Sequence, residues 1–218
     1  MLYGATQPRS EYLFGESIAA LADRGDSVSV TFERAPARSF DLVIGADGLH
    51  SNVRRLVFGR QEQFAKRLGT YVAIFTVPNF LDLDYWETFN MTDTSSAGVY
   101  SARDNTEAQF TELERRMAGD GWVRPQLLEY MRTAPDFYFD EMAQIIMDRW
   151  SQGRVALVGD AGYCCSPLSG QGTSVALLGA YILAGELAEA DGDHALGFAN
   201  YFTAFGDYVL DHAEGLLR

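Results

Sequence analysis

The order of hydrophobic runs predicts a two-lobed α/β fold, with a β-rich segment set into an α/β frame. Three observations carry this. Two short apolar runs, Phe40–Ala46 (FDLVIGA) and Arg154–Gly159 (RVALVG), each feed a Gly/Asp turn and then a helix-type segment. Between them the pattern turns to the alternation of exposed strands. Hydrophobic residues make up 47% of the 218-residue chain and aromatics 13%, enough to bury a sizeable core and to argue against disorder.

Taken in order, residues 26–33 alternate through Val28, Val30 and Phe32, as a half-buried strand does. Phe40–Ala46 reads as one strand ending in Asp47-Gly48, with a helix over Ser51–Phe58 and Ser51 as its N-cap. Strands are expected over Thr70–Val77, Trp86–Met91 and Gly98–Ala102. Helices are expected over Glu107–Met117, where Phe110, Leu113 and Met117 have helical spacing, and over Gln126–Met131. Tyr138–Trp150 reads as a strand returning toward the first lobe. Arg154–Gly159 then ends in Gly159-Asp160. After the Pro167 turn, Gly170-Gln171-Gly172 opens an apolar helix to about Ala190, and an amphipathic helix follows over Asp193–Leu216. Residues 1–64 and 151–218 form one lobe by this reading, and residues 65–150 the other.

Charge and composition exclude several classes of function. Seventeen Lys and Arg against 30 Asp and Glu leave a net charge of −13, which repels nucleic-acid backbones and anionic lipid. Residues 1–10 lack the apolar stretch of a signal peptide. The longest apolar run, Val175–Gly185, is too short to span a bilayer and reads as a buried helix. The expected location is the cytoplasm, with Cys164 and Cys165 as a reduced pair, a vicinal disulfide being the rarer alternative. His50, His194 and His212 lack ligand spacing, and no triad, zinc pattern or carboxylate pair stands out. No catalytic residue and no metal is therefore assigned.

Chemistry concentrates at the two turns. Open α/β sheets bind ligands at the carboxyl ends of their strands. An Asp there accepts hydrogen bonds from ribose or polyol hydroxyls, and a neighbouring Gly lets a ligand approach the backbone. The segment Pro167-Leu168-Ser169-Gly170-Gln171-Gly172-Thr173 leads into a helix whose unpaired amides and positive dipole end favour an anionic partner.

The run Asp47-Gly48-Leu49-His50-Ser51-Asn52-Val53-Arg54 resembles the DG motif of the FAD-dependent aromatic-ring monooxygenases, the para-hydroxybenzoate hydroxylase-like flavoproteins. Gly159-Asp160-Ala161 with Pro167, Gly170 and Gly172 resembles their second FAD motif. The resemblance implies a partial FAD-binding domain (residues 1–64 and 151–218) with a β-rich substrate domain inserted (65–150). It also implies NAD(P)H-driven hydroxylation of an aromatic or polyketide-like small molecule. By resemblance Gly159 and Asp160 hold the ribityl chain. The amides of Gly170, Gln171, Gly172 and Thr173 face the flavin's pyrimidine edge. Pro167 borders the isoalloxazine, and Asp47 and Arg54, with Gly48 between them in the motif, lie near the pyrophosphate and contribute to the encounter with the pyridine nucleotide. The inserted aromatics Phe75, Phe80, Tyr85, Trp86, Phe89 and Tyr100 would wall a planar substrate.

Departures from the family pattern set further expectations. The G-x-G-x-x-G loop that holds the ADP pyrophosphate in the family is absent, and the chain opens at a point resembling mid-domain, with Glu11–Leu21 like one of the later strands. The insert between Ala102 and Phe110 is short for the family, as if a hairpin were absent, and Cys165 stands where relatives often carry proline. The chain alone is expected to bind FAD weakly or not at all, and to self-associate through an exposed sheet edge. Two alternatives stay open: a non-catalytic binding protein on the same scaffold, or another FAD-dependent oxidoreductase of this fold.

Overall fold

The computed structural model describes residues 2–78, 80, 81, 83, 87–93, 95–100 and 123–215. The chain divides into two compact units, residues 1–67 with 143–218, and residues 68–142.

The first unit holds two small three-stranded sheets. In one, β1 (Ile18–Asp23), β2 (Val28–Phe32) and β3 (Arg38–Phe40) form an antiparallel meander. The alternation in β2 points Val28 and Val30 into the core, 0% and 1% exposed. In the other sheet the central strand is β10 (Val155–Leu157). It pairs parallel with β4 (Val43–Gly45) and antiparallel with the short β9 (Ser151–Gln152).

The apolar run Phe40–Ala46 is therefore not one strand. Its first residue closes the meander and its second half enters the other sheet. The chain changes sheets at Asp41, whose carbonyl accepts a 3.1 Å hydrogen bond from Arg154 Nη1. The same side chain donates from Nε to Gly25 O at 2.7 Å, and the Arg154 amide donates to Asp23 Oδ2 at 2.9 Å. One residue at the head of β10 thus ties both sheets together. Glu11–Leu21 is likewise not a strand throughout, since β1 starts only at Ile18. Upstream, the Glu16 carboxylate accepts from the amides of Ser17, Arg34 and Ala35, holding this stretch as a loop against the end of the meander.

Helix α1 (Leu2–Thr6) precedes the meander, and α2 (Asn52–Val57) follows β4. Ser51 caps α2 as expected, its Oγ accepting from the Arg54 amide at 2.9 Å. In the second unit β5 (Ala65–Ile74) pairs with β8 (Tyr138–Ile145), and β6 (Glu87–Met91) forms a hairpin with β7 (Ser96–Tyr100). Both β5 and β8 begin or end in the first unit. The β5 strand runs five residues earlier than its sequence pattern suggested. β8 stops at Ile145, whose amide bonds to Cys164 O, while the Ile146 amide bonds to Phe64 O, the residue just before β5. Helix α3 (Arg124–Met131) lies where a helix was expected. The helix anticipated over residues 107–117 and the gap between 102 and 110 lie outside the described residues.

The C-terminal elements are a one-turn helix α4 (Asp160–Tyr163), α5 (Gly172–Glu189) and α6 (His194–Gly215). The last two pack as an antiparallel pair over an aromatic core. Tyr201 donates to Tyr163 Oη at 2.8 Å, and Trp150 lies 4.5 Å from the Tyr163 ring. Gly179 makes this approach possible, because a Cβ there would sit 2.0 Å from Tyr163 Oη. Contrary to expectation, α5 is buried on one face only. Val175, Gly179 and Leu183 face the core, while Leu177, Leu178 and Tyr181 are exposed. A residue count of apolar side chains cannot distinguish a buried helix from one with an uncovered apolar face.

Candidate functional site

Parallel pairing decides where the two turns lie. Val43, Ile44 and Gly45 stand opposite Val155, Ala156 and Leu157, and the Val158 amide donates to Gly45 O at 2.9 Å. Both strands point the same way, so Asp47-Gly48 and Gly159-Asp160 emerge from the same end of adjacent strands despite the long separation in sequence. This is the crevice position at which open α/β sheets take ligands. Gly45 permits the close packing beneath it, since a Cβ there would meet Leu157 and Val53 at 2.8 Å.

The two aspartates are used differently. Asp47 is turned back onto α2: its Oδ1 accepts from Ser51 Oγ at 2.6 Å and its Oδ2 from the Val53 amide at 2.9 Å. Its neighbour Gly48 adopts φ 79, a left-handed conformation for which glycine is suited. Asp160 is half-buried at the start of α4. Its carboxylate sits beside the Cys164 thiol and faces the first turn of α5, and a Cβ placed on Gly172 would lie 4.0 Å from Asp160 Oδ1. Gly159, at φ 64, makes the sharp exit from β10, and a Cβ there would press on Ala176 at 3.2 Å.

The loop into α5 is held by hydroxyls. Ser166 takes φ 77 although it carries a side chain, and it is buried. Its Oγ accepts from the Leu168 amide, its carbonyl accepts from Ser169 Oγ at 2.8 Å, and Ser169 Oγ accepts from the Gln171 amide at 3.0 Å. Pro167, Gly170, Gln171 and Thr173 line this loop with exposed surfaces. Gly170 is left-handed at φ 63 with nothing near its Cβ position. Gln171 offers no side-chain cap, so the first-turn amides of α5 face outward without an internal acceptor. A polyol and an anionic edge fit this donor and acceptor set: a carboxylate, uncapped amides and glycine backbone around open space.

Arg54 is the expected site residue whose environment is least like a ligand contact. It is 0% exposed. Its Nη1 donates to Ala161 O at 2.7 Å and its Nη2 to Leu49 O at 2.5 Å, while Nε has no partner. Burial pulls its pKa down, and the Asp47 carboxylate works in the opposite direction. Cys164 and Cys165 are free and buried. Burial, aided by the Asp160 charge, pushes the Cys164 thiol up to about 12, so it is an inert thiol here. Among the described residues no group of three His, Cys, Asp or Glu is placed to hold a metal, and no helix is long and apolar enough to cross a membrane.

Two contributors escaped the sequence reading. Ser166 carries the strained turn without being glycine, and the carbonyls of Leu49 and Ala161 anchor Arg54. Backbone acceptors leave no residue-type signal. In the second unit, Phe89 is 60% exposed and packs over Gly98, and Phe80 contacts Tyr130 at 5.4 Å. Tyr85 and Trp86 lie outside the described residues, as does the Tyr100 side chain.

Residues 136–196 match the family model of an FAD binding domain. An uncharacterized protein of Mycobacterium tuberculosis is 70% identical over 96% of this chain and 62% of its own length. A flavin-dependent monooxygenase from an unknown prokaryotic organism is 41% identical over 90% of the chain and 56% of its own length. The crystal structure of the tetracycline destructase Tet(55) superposes with a TM-score of 0.78 at 39% identity, covering 91% of this chain and 58% of that one. The Klebsiella pneumoniae HpxO structure with FAD and uric acid shares the fold, at TM-score 0.63 and 23% identity. The chain spans somewhat over half the length of the relatives it matches.

Proposed function

We propose that the chain is part of an FAD-dependent aromatic monooxygenase that hydroxylates an aromatic or polyketide-like small molecule with NAD(P)H as reductant, a reading supported by the FAD binding domain match and the flavin-dependent monooxygenase relatives. The observation that carries this reading is the parallel β4–β10 pair, which brings both Gly/Asp turns to one crevice. The proposed stoichiometry is ring C–H, O₂, NAD(P)H and a proton going to ring C–OH, water and NAD(P)⁺.

When bound, FAD supplies the redox chemistry, which explains why no protein nucleophile is required. The chain's own residues bind and orient. Asp160 accepts hydrogen bonds from the ribityl hydroxyls. The uncapped amides of Gly172 and Thr173, at the positive end of the 18-residue α5, stabilise negative charge at the flavin's pyrimidine edge. Pro167 and Gly170 border the ring with exposed, side-chain-poor surface. Asp47 acts through α2, and its carboxylate is not available to the cofactor while it caps that helix. The name of the Tet(55) neighbour, a tetracycline destructase, supports a polycyclic, polyketide-like substrate.

The test is a titration of FAD into the purified chain, followed by NADH and NADPH oxidation assays with chlortetracycline and with simple phenols. Saturable flavin binding, and product that gains one oxygen atom, support the reading. NAD(P)H oxidation without oxygen insertion into any ring would favour a reductase on the same fold.

A further inference from the structure

We infer that Arg54 is a positioning residue of the flavin crevice, a buried tie that sets the Asp160 turn from below instead of meeting the cofactor itself. The inference rests on the flavin reading of that crevice and deepens it.

The geometry is that of a two-pronged clamp. The guanidinium lies wholly inside the protein, with one Nη on Leu49 O in the first turn and the other on Ala161 O in the second. Helix α4 has four residues only, so its carbonyls have no partners further along the helix. Arg54 supplies the partner for Ala161, one residue beyond Asp160. The first turn is fixed in the same way: Asp47 and Ser51 cap α2, α2 carries Arg54, and Arg54 returns to Leu49. Both turns are thus referred to one side chain.

Burying a guanidinium with no carboxylate in ion-pair contact among the described residues, and with Nε unpartnered, is costly. A hydrophobic residue of similar volume would fill the space more cheaply but would leave two carbonyls unbonded and the two turns uncoupled. Lysine would not substitute, because a single ammonium cannot span two divergent carbonyls as the planar fork does. The side chain is therefore specific to coupling, and the group it couples is the segment bearing Asp160.

The native cysteines provide a readout that needs no cofactor. Cys164 and Cys165 follow α4 directly and are 4% and 1% exposed, so a thiol reagent reaches them only when this segment opens. Arg54→Lys and Arg54→Met are compared with the parent and with Val28→Ala, a substitution in β2 that alters the same core without touching either turn's hydrogen bonds, all well below their unfolding temperatures. Each is assayed for reaction with an aromatic disulfide reagent and for FAD affinity by titration. The expected result is that Arg54→Lys, the milder change, reacts faster by about tenfold. It also loses about tenfold in FAD affinity. Val28→Ala should change neither beyond its effect on global stability. Arg54→Lys with parental thiol rates overturns the inference, and so does faster thiol reaction with unchanged FAD affinity, which would make the tie merely structural. The parent chain alone is expected to bind FAD weakly or not at all, and an affinity too weak to titrate removes the flavin arm of the comparison without deciding the reading of the crevice. The thiol rates then decide the tie alone: acceleration confined to the Arg54 variants keeps it, and parental rates remove it.

Discussion

Asp47 and Asp160 occupy equivalent places after equivalent strands, yet their side chains have different work. Asp47 is saturated by Ser51 and the Val53 amide, whereas Asp160 faces the first turn of α5, 4.0 Å from where a Cβ on Gly172 would lie. Asp160→Ala should therefore weaken FAD binding, each lost charge-assisted hydrogen bond being worth about 1.5–3 kcal/mol. The expected shift in Kd is about ten- to a hundredfold with little change in Tm, read by flavin titration and thermal melts. Asp47→Ala should do the reverse, lowering Tm through loss of the α2 cap while affecting affinity less. Gly179 belongs at this scale too. Gly179→Ala would drive a methyl into Tyr163 Oη and Phe205, at 2.0 and 2.8 Å. Overpacking of this kind costs about 1–3 kcal/mol, measurable as a lower urea midpoint.

At the scale of elements, carboxylates that accept backbone amides brace the meander β1–β2–β3, Glu16 at its own end and Asp23 against Arg154 at the head of β10. Hydrogen bonds from Ser17, Ala35 and Arg34 hold the Glu16 carboxyl below its usual range, and those from Gly25 and Arg154 do the same for Asp23. A carboxyl whose pKa is lower folded than unfolded adds stability that is complete above its unfolded value, about 4, and is lost as the pH falls through the folded value. Melting temperature should thus drop on acidification below about pH 4.5, with a shallower slope in Glu16→Gln. A slope identical to the parent's would show that this clamp does not stabilise the fold. The sheet switch at Asp41 is an element-scale feature that periodicity hid. Phe40 and Val43–Gly45 are all apolar, and only the Arg154 side chain, contributed from far along the chain, reveals that they serve different sheets.

For the whole molecule, β4 has β10 as its only partner among the described strands, and Ile44 on it is 38% exposed. An edge strand with unpaired backbone groups is a template for association. We propose that the isolated chain self-associates along this edge. Light scattering after size exclusion should show oligomers, and Ile44→Lys should shift them toward monomer. A parent that elutes as a monomer at high concentration would dispose of the idea.

Much of the frame was legible in residue order. The alternation of β2, the Ser51 cap, the buried triplet of β10 and the glycine opening of α5 each rest on local chemistry: side-chain period, a hydroxyl acceptor, conformational freedom. The motif residues were also legible, because Gly and Asp after an apolar strand carry their own meaning. What residue order did not contain was the partner of each group. That Asp47 serves α2 while Asp160 faces the crevice, that Arg54 is enclosed, that Ser166 bears a left-handed backbone, and that α5 leaves Leu177 and Tyr181 uncovered all depend on contacts between segments distant in sequence. Local periodicity determined which elements form. Only the tertiary structure decided what each polar group bonds, since a backbone carbonyl such as that of Ala161 becomes a site only when the fold brings Arg54 to it.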